Sequence, residues 1–193
     1  GTNVTKVYGE TIEVTIASEN ATAVIYNITD DSTGEVVVEN TQVAANGTVT
    51  IPTLDVGKYT VHYLTVVDDV YYSTATNTSK ITVTPAPSAV SAEDVTEVYG
   101  DPIVVTVVSE NATSVTYKIT GDGVELSGTV SEDGTISVPT LDVGEYTVEL
   151  TTVTDKNHES ATNTSKITVT PAPSSVSAED VTEVYGDPIV VTV

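Results

Sequence analysis

The sequence predicts an all-β protein assembled from tandem sandwich domains, and three observations carry that expectation. Valine and threonine dominate: 36 Val and 36 Thr among 193 residues, with no Phe, Trp, Met or Cys. Side chains branched at Cβ favour the pleated, half-buried surface of a strand. Apolar and polar positions then alternate in short runs bounded by Gly, Asn, Asp and Pro, which is the pattern of strands and turns rather than of helices. Finally, the chain repeats itself. Val98-Tyr99-Gly100-Asp101-Pro102 returns as Val184-Tyr185-Gly186-Asp187-Pro188, with Val7-Tyr8-Gly9-Glu10 as a diverged copy, and Ala75 to Pro87 returns intact as Ala161 to Pro173. The copies are spaced 91 residues from Tyr8 to Tyr99 and 86 from Tyr99 to Tyr185. Such a period is a whole small domain, not one turn of a solenoid.

The repeats divide the chain into a first domain over 1–84, a Pro-rich linker over 85–91, a second domain over 92–170, a second linker over 171–177 and the first strands of a third domain over 178–193. Thr84-Pro85-Ala86-Pro87 and Thr170-Pro171-Ala172-Pro173 end an alternating run at prolines that cannot donate to a ladder. Pro-Ala-Pro favours an extended, semi-rigid geometry, so neighbouring domains are expected in line, as a rod. The chain opens at Gly1 without Met and stops inside a strand-like run at Val193, and so reads as an excerpt.

Within the first repeat, strands are expected near Val4 to Tyr8, Thr11 to Ala17, Ala23 to Thr29, Glu35 to Val38 with a short piece at Thr41 to Ala44, Thr48 to Ile51, Tyr59 to Val67, and Thr78 to Val83. The turns between them carry Asp30-Asp31-Ser32-Thr33-Gly34, Asn46-Gly47 and Asp55-Val56-Gly57, residues that accept tight or left-handed backbone. About seven short strands in under 100 residues point to an immunoglobulin-like sandwich.

Asp55-Val56-Gly57-Lys58-Tyr59-Thr60-Val61 and Asp142-Val143-Gly144-Glu145-Tyr146-Thr147-Val148 resemble the tyrosine-corner segment of that fold, in which the phenol bonds backbone a few residues upstream. Val61 and Val148 stand where antibody domains carry a cysteine, so cohesion falls to Val, Ile, Leu and Tyr packing. Together with the Val-Tyr-Gly-Asp opening and the Asn46 to Pro52 hairpin, these motifs make the chain resemble the immunoglobulin-like repeat domains of prokaryotic surface adhesins, especially the adhesin-like proteins of methanogenic archaea. The resemblance implies an extracellular, cell-surface stalk or fibre that projects a distal binding region. Its partners are neighbouring repeats of the same chain, with other copies engaged laterally or by strand exchange.

The charge narrows the alternatives. Six Lys, no Arg and 28 acidic residues give a net charge of −22, which repels phosphate backbones and excludes nucleic acid as a partner. No apolar run reaches the roughly 20 residues of a membrane helix. Neither His62 nor His158 recurs in the other repeat, and no Gly-rich phosphate loop, zinc spacing or serine elbow occurs. Without a recurring acid, base and nucleophile, no enzyme is expected and no catalytic residue is assigned.

Three non-catalytic chemistries are open. Seven of nine Asn begin an Asn-x-Ser/Thr triplet, namely Asn3, Asn20, Asn27, Asn46, Asn77, Asn111 and Asn163, and are candidate glycosylation sites. The plainer reading is that a Thr-rich β chain with Asn at its turns makes such triplets freely. Glu93, Asp94, Asp101, Glu179, Asp180 and Asp187 surround the expected junctions and offer hard oxygen ligands for a structural calcium ion, as do Asp68 and Asp69 on a loop facing the next domain; otherwise they are a solvated acidic surface and no cofactor is needed. An isopeptide bond between Lys6 and Asn77 is the third, against which Glu97 replaces Lys6 in the second repeat. The alternative to a stalk is a filament subunit that polymerises by strand donation, since Val181 to Val193 copies Val95 to Val107 residue for residue. A carbohydrate- or protein-binding module would need an exposed aromatic platform, for which Tyr71-Tyr72 is the best pair.

Overall fold

The computed structural model describes residues 1–68 and 70–193. Its first seven strands are β1 (Val4–Val7), β2 (Ile12–Ile16), β3 (Ala23–Asp30), β4 (Val36–Ala44), β5 (Gly47–Ile51), β6 (Gly57–Val66) and β7 (Thr76–Thr84). They form a five-stranded sheet in the order β1-β7-β6-β3-β4 and a two-stranded sheet β2-β5. β1 runs parallel to β7, and the other pairs are antiparallel. Every second residue of β2 is buried, so Ile12, Val14 and Ile16 project into the same core as Tyr26 and Ile28 of β3, Tyr59 and Val61 of β6, and Ile81 of β7. One core shared by two sheets is a two-layer sandwich. The β7-β6-β3-β4 order of the larger sheet is the G, F, C, C′ order of immunoglobulin-type sandwiches.

The pattern returns with β9 (Ala89–Ala92), β10 (Val95–Val98), β11 (Ile103–Glu110), β12 (Ser114–Gly121), β13 (Val124–Thr129), β14 (Thr135–Val138), β15 (Gly144–Val153) and β17 (Thr162–Thr170). The sheets are β10-β17-β15-β12-β13 and β14-β11-β9 around a second core holding Val105, Ile119, Tyr146, Val148, Leu150 and Ile167. The two cores share no residue. Two further short strands, β8 (Ala86–Pro87) and β16 (His158–Glu159), pair with each other.

Four sequence expectations change on inspection. The two pieces at Glu35–Val38 and Thr41–Ala44 are one strand, β4, whose register against β3 shifts between Tyr26 and Thr29. The stretch 85–91 is not a bare connector. Proline removes only its own N–H, and the intervening Ala86 N–H donates to the Asn157 carbonyl at 2.9 Å while Ala89–Ala92 joins the second sandwich as β9. Residues 178–193 carry no strand, although they copy β10 and the first half of β11. The reason is pairing: β10 is held by β17 and β11 by β14, and among the described residues no strand lies beside the third copy. Its local turn forms nonetheless, with Asp187 N–H on the Val184 carbonyl and Gly186 at φ 99°, like Gly9 at 88° and Gly100 at 96°; this left-handed backbone is why the turn carries glycine each time. Finally, β1 sets Lys6 opposite Val83, six residues along β7 from Asn77, a separation of about 20 Å that admits no isopeptide bond.

Candidate functional site

Tyr59 and Tyr146 both start a long central strand, β6 or β15, with their rings in the core. The Tyr59 hydroxyl donates to the Asp55 carbonyl at 2.8 Å and the Tyr146 hydroxyl to the Asp142 carbonyl at 3.0 Å. Burial, reinforced by nearby carboxylates, pushes both phenols up from their ordinary value, so each remains a donor. The bond closes a tight corner, at which the carboxylate-bearing Asp55 or Asp142 is exposed and is followed by the N–H of Val56 or Val143.

At the first corner those groups are occupied by the second sandwich. The loop leaving β15 places Asn157 against them, 7% exposed. Its Oδ1 accepts the Val56 N–H at 2.9 Å, its Nδ2 donates to Asp55 Oδ1 at 2.9 Å, and Lys156 Nζ meets Asp55 Oδ2 at 2.7 Å. The lysine bond first, and then the Asn157 amide, hold the Asp55 carboxyl below the usual carboxylate range. The loop is itself braced: Asp155 Oδ1 accepts the Asn157 N–H at 2.9 Å and bonds His158 Nδ1 at 2.7 Å, which lowers the Asp155 carboxyl. The His158 ring then meets Tyr8 of the first sandwich edge-on, with centroids 5.5 Å apart. Behind it, Ser88 Oγ bonds Thr152 Oγ1 at 2.9 Å and the Glu159 carbonyl at 2.5 Å. Thus one loop, residues 155–159, ties the connecting segment, the corner of the first sandwich and its own β-sheet together. Chemically it is a docking contact: a buried amide reading one carboxylate and one N–H, with a lysine on the same carboxylate.

Sequence reasoning passed over Asn157, Lys156 and the role of His158, because the loop differs between repeats. Asn40 and Asn157 are the two of nine Asn outside the Asn-x-Ser/Thr triplets, but side-chain bonding does not set them apart, since Asn27, for one, donates to Asn40 Oδ1 at 3.0 Å.

The candidate calcium ligands are not brought together: among the described residues no three of His, Asp and Glu converge. Asp94 instead uses Oδ1 to accept the Lys166 N–H at 2.8 Å, as Asn3 accepts the Lys80 N–H at 2.9 Å in the first sandwich. Glu93 and Asp101 are exposed, as are Glu179, Asp180 and Asp187; Asp69 lies outside the described residues. The seven triplet asparagines divide by their acceptor nitrogen. Nδ2 donates within the protein at Asn27, at Asn111 (to the Pro87 carbonyl, 3.0 Å) and at Asn163 (to the Val90 carbonyl, 3.0 Å). Asn3, Asn46 and Asn77 engage only Oδ1, and Asn20, at φ 56°, projects from a turn. Tyr71 and Tyr72 are exposed on the loop of the first sandwich that corresponds to 155–159. A hollow of about 510 Å³ on the outer face of β3, β6 and β7 holds His62, whose Nε2 bonds Thr29 Oγ1 at 3.1 Å; Asn and Thr side chains share its lining with Ile25, Tyr63 and Leu64, and among the described residues neither carboxylate nor lysine lines it. Among the described residues, none belongs to a helix long and apolar enough to cross a membrane.

No family model matches the sequence, and no curated protein matches it. Solved structures to which the chain is similar include the fibronectin(III)-like modules of Clostridium thermocellum CbhA, at 13% identity over 88% of this chain and 90% of that one, TM-score 0.36. A 1.5-MDa bacterial ice-binding adhesin matches at 15% identity over 88% and 62%, TM-score 0.37, and a chimeric titin Z1Z2 tandem at 15% over 88% and 95%, TM-score 0.33.

Proposed function

We propose that this chain is a segment of a structural stalk or fibre of an extracellular, adhesin-like surface protein, in which serial sandwich repeats (1–84 and 92–170) project a distal binding region. The observation that carries the reading is the seating of Asn157 on Asp55 and Val56. A contact that fixes one repeat on the next has a mechanical use, and it spends the chain's most specific side-chain bonds on geometry between repeats. The acidic surface supports it: like charges along the array oppose its folding back on itself. Glycans suit the same role, at Asn3, Asn20, Asn46 and Asn77 before Asn27, Asn111 and Asn163, whose amide nitrogens are already spent. The test is surface labelling of intact and permeabilised source cells with an antibody to this chain, together with intact mass before and after deglycosylation. Labelling of intact cells is expected, whereas labelling only after permeabilisation would overturn the reading.

One observation favours a second reading, strand donation. Val181 to Val193 pairs with no strand among the described residues, and Val184, Ile189 and Val193 are 75%, 74% and 86% exposed. A donor strand for a neighbouring copy would look the same. Removal of residues 181–193 would then abolish assembly of purified chain into filaments; on the stalk reading, purified chain stays monomeric with or without them.

A further inference from the structure

The second corner repeats the first but has no occupant. The Tyr146 hydroxyl closes it on the Asp142 carbonyl as Tyr59 does on Asp55, and Gly144 follows as Gly57 does. Yet the Val143 N–H meets no acceptor among the described residues, while the Val56 N–H is taken by Asn157. The side chains differ in the same sense: Val143 is 47% exposed, and Val56 packs partly buried against its core. The Asp122 carboxylate lies against Gly144, adding a second negative charge beside Asp142. Beyond the corner the chain continues Pro171-Ala172-Pro173-Ser174, repeating the Pro85-Ala86-Pro87-Ser88 whose Ala86 and Ser88 are bonded to the docking loop at the first junction.

We propose that the Asp142–Val143 corner is a docking socket for another repeat of this kind, one whose loop carries a lysine and an asparagine in the places of Lys156 and Asn157. The lysine is drawn by Asp142 and Asp122. The asparagine supplies the acceptor that Val143 lacks and the donor that Asp142 can take. The socket is selective: the corresponding loop of the first repeat, Asp68 to Thr74, contains neither Lys nor Asn. In it Asp68 accepts the Val70 N–H as Asp155 accepts that of Asn157, so an apolar valine stands where the docking amide would be needed. Successive junctions are thereby coded by loop sequence, and the corner is the constant half of the code.

This inference rests on the stalk reading, and the experiment separates the two. Because Val181 to Val193 copies Val95 to Val107, appending the sequence of residues 108–170 after Val193 completes a third repeat with its own Lys-Asn loop. Amide hydrogen exchange is then read at Val143 in the present and the extended chain. The socket predicts that exchange at Val143 slows by about tenfold on extension, towards the Val56 rate, and recovers when the appended asparagine is changed to alanine. An appended repeat that folds while Val143 exchanges as before overturns the socket. Small-angle scattering on the same samples reports the stalk separately: growth in length by one repeat with Val143 still fast leaves the stalk and removes the socket, and a compact particle removes the stalk. Whether or not the appended copy folds, Asn157→Ala in the present chain must raise Val56 exchange to the Val143 rate. If Val56 stays slow, docking is not what protects a corner, and the proposal falls.

Discussion

The two sandwiches share a plan and differ where side chains meet a partner. In the first, Tyr63 of β6 reaches Ser79 of β7, hydroxyl to hydroxyl, at 2.7 Å and buried. In the second, Leu150 takes the place of Tyr63, and Ser165, the counterpart of Ser79, keeps a buried hydroxyl with no partner. The corners differ in the same sense: that of the first sandwich is occupied from outside, that of the second is open. The difference teaches that the repeated motifs fix the sandwich, while residues that do not recur decide how each copy is finished internally and what it touches.

The largest effect is expected from Tyr63→Leu, which gives the first sandwich the chemistry of the second. It removes a buried ring and orphans Ser79, at a cost of about 2–4 kcal/mol in the unfolding of that sandwich alone. Thermal melts resolving two transitions would show it; no shift in either transition would mean that Tyr63 contributes nothing to the packed core. Next come Tyr59→Phe and Tyr146→Phe, each expected to lose about 1–2 kcal/mol because the corner carbonyl loses its donor. Similar losses at the two corners support equal internal roles, and a much larger loss at Tyr59 would mean that docking and corner are one cooperative unit. The serines should respond with opposite signs. Ser79→Ala costs about 1 kcal/mol by breaking a bond, whereas Ser165→Ala gains about 0.5–1 kcal/mol by removing a buried, unsatisfied hydroxyl.

Smaller effects fall on the junction. Asp55 ionises more readily when docked than when free, so its contribution to docking is complete above the ordinary carboxylate range and is lost as the pH falls through its depressed value. Val56 exchange should therefore accelerate on acidification below about pH 4, after correction for intrinsic rates. A rate that is flat across that range would mean that the Asp55 charge plays no part. Lys156→Ala is expected to do least, since the ammonium is solvated: a modest loosening at low salt that disappears as salt is raised.

Much of the fold was legible because β structure writes its period into the sequence. The alternation Ile12, Val14, Ile16 is a buried face by itself, and the Asp-Val-Gly-x-Tyr segment marks a corner wherever it stands. What was not legible depended on partners distant in sequence. Residues 181–193 have the strand pattern of β10 and β11 but none of their ladder neighbours, and pattern without pairing makes no strand. The connector at 85–91 reads as interrupted by proline, yet the one N–H kept between two prolines is the one that is used. The junction site was least legible of all, since Asn157 and Lys156 sit in the loop where the repeats diverge, and divergence reads as decoration until the facing corner is in view.

The loop at 155–159 is expected to hold the two sandwiches in a single relative orientation. Residual dipolar couplings measured for both in one weakly aligned sample of the chain test it most directly. A common alignment tensor, with the same axes and magnitude for residues 4–84 and 89–170, is the predicted result, and Asn157→Ala should split it in two. Two unequal tensors in the unaltered chain would show that the sandwiches reorient freely, and would contradict the claim.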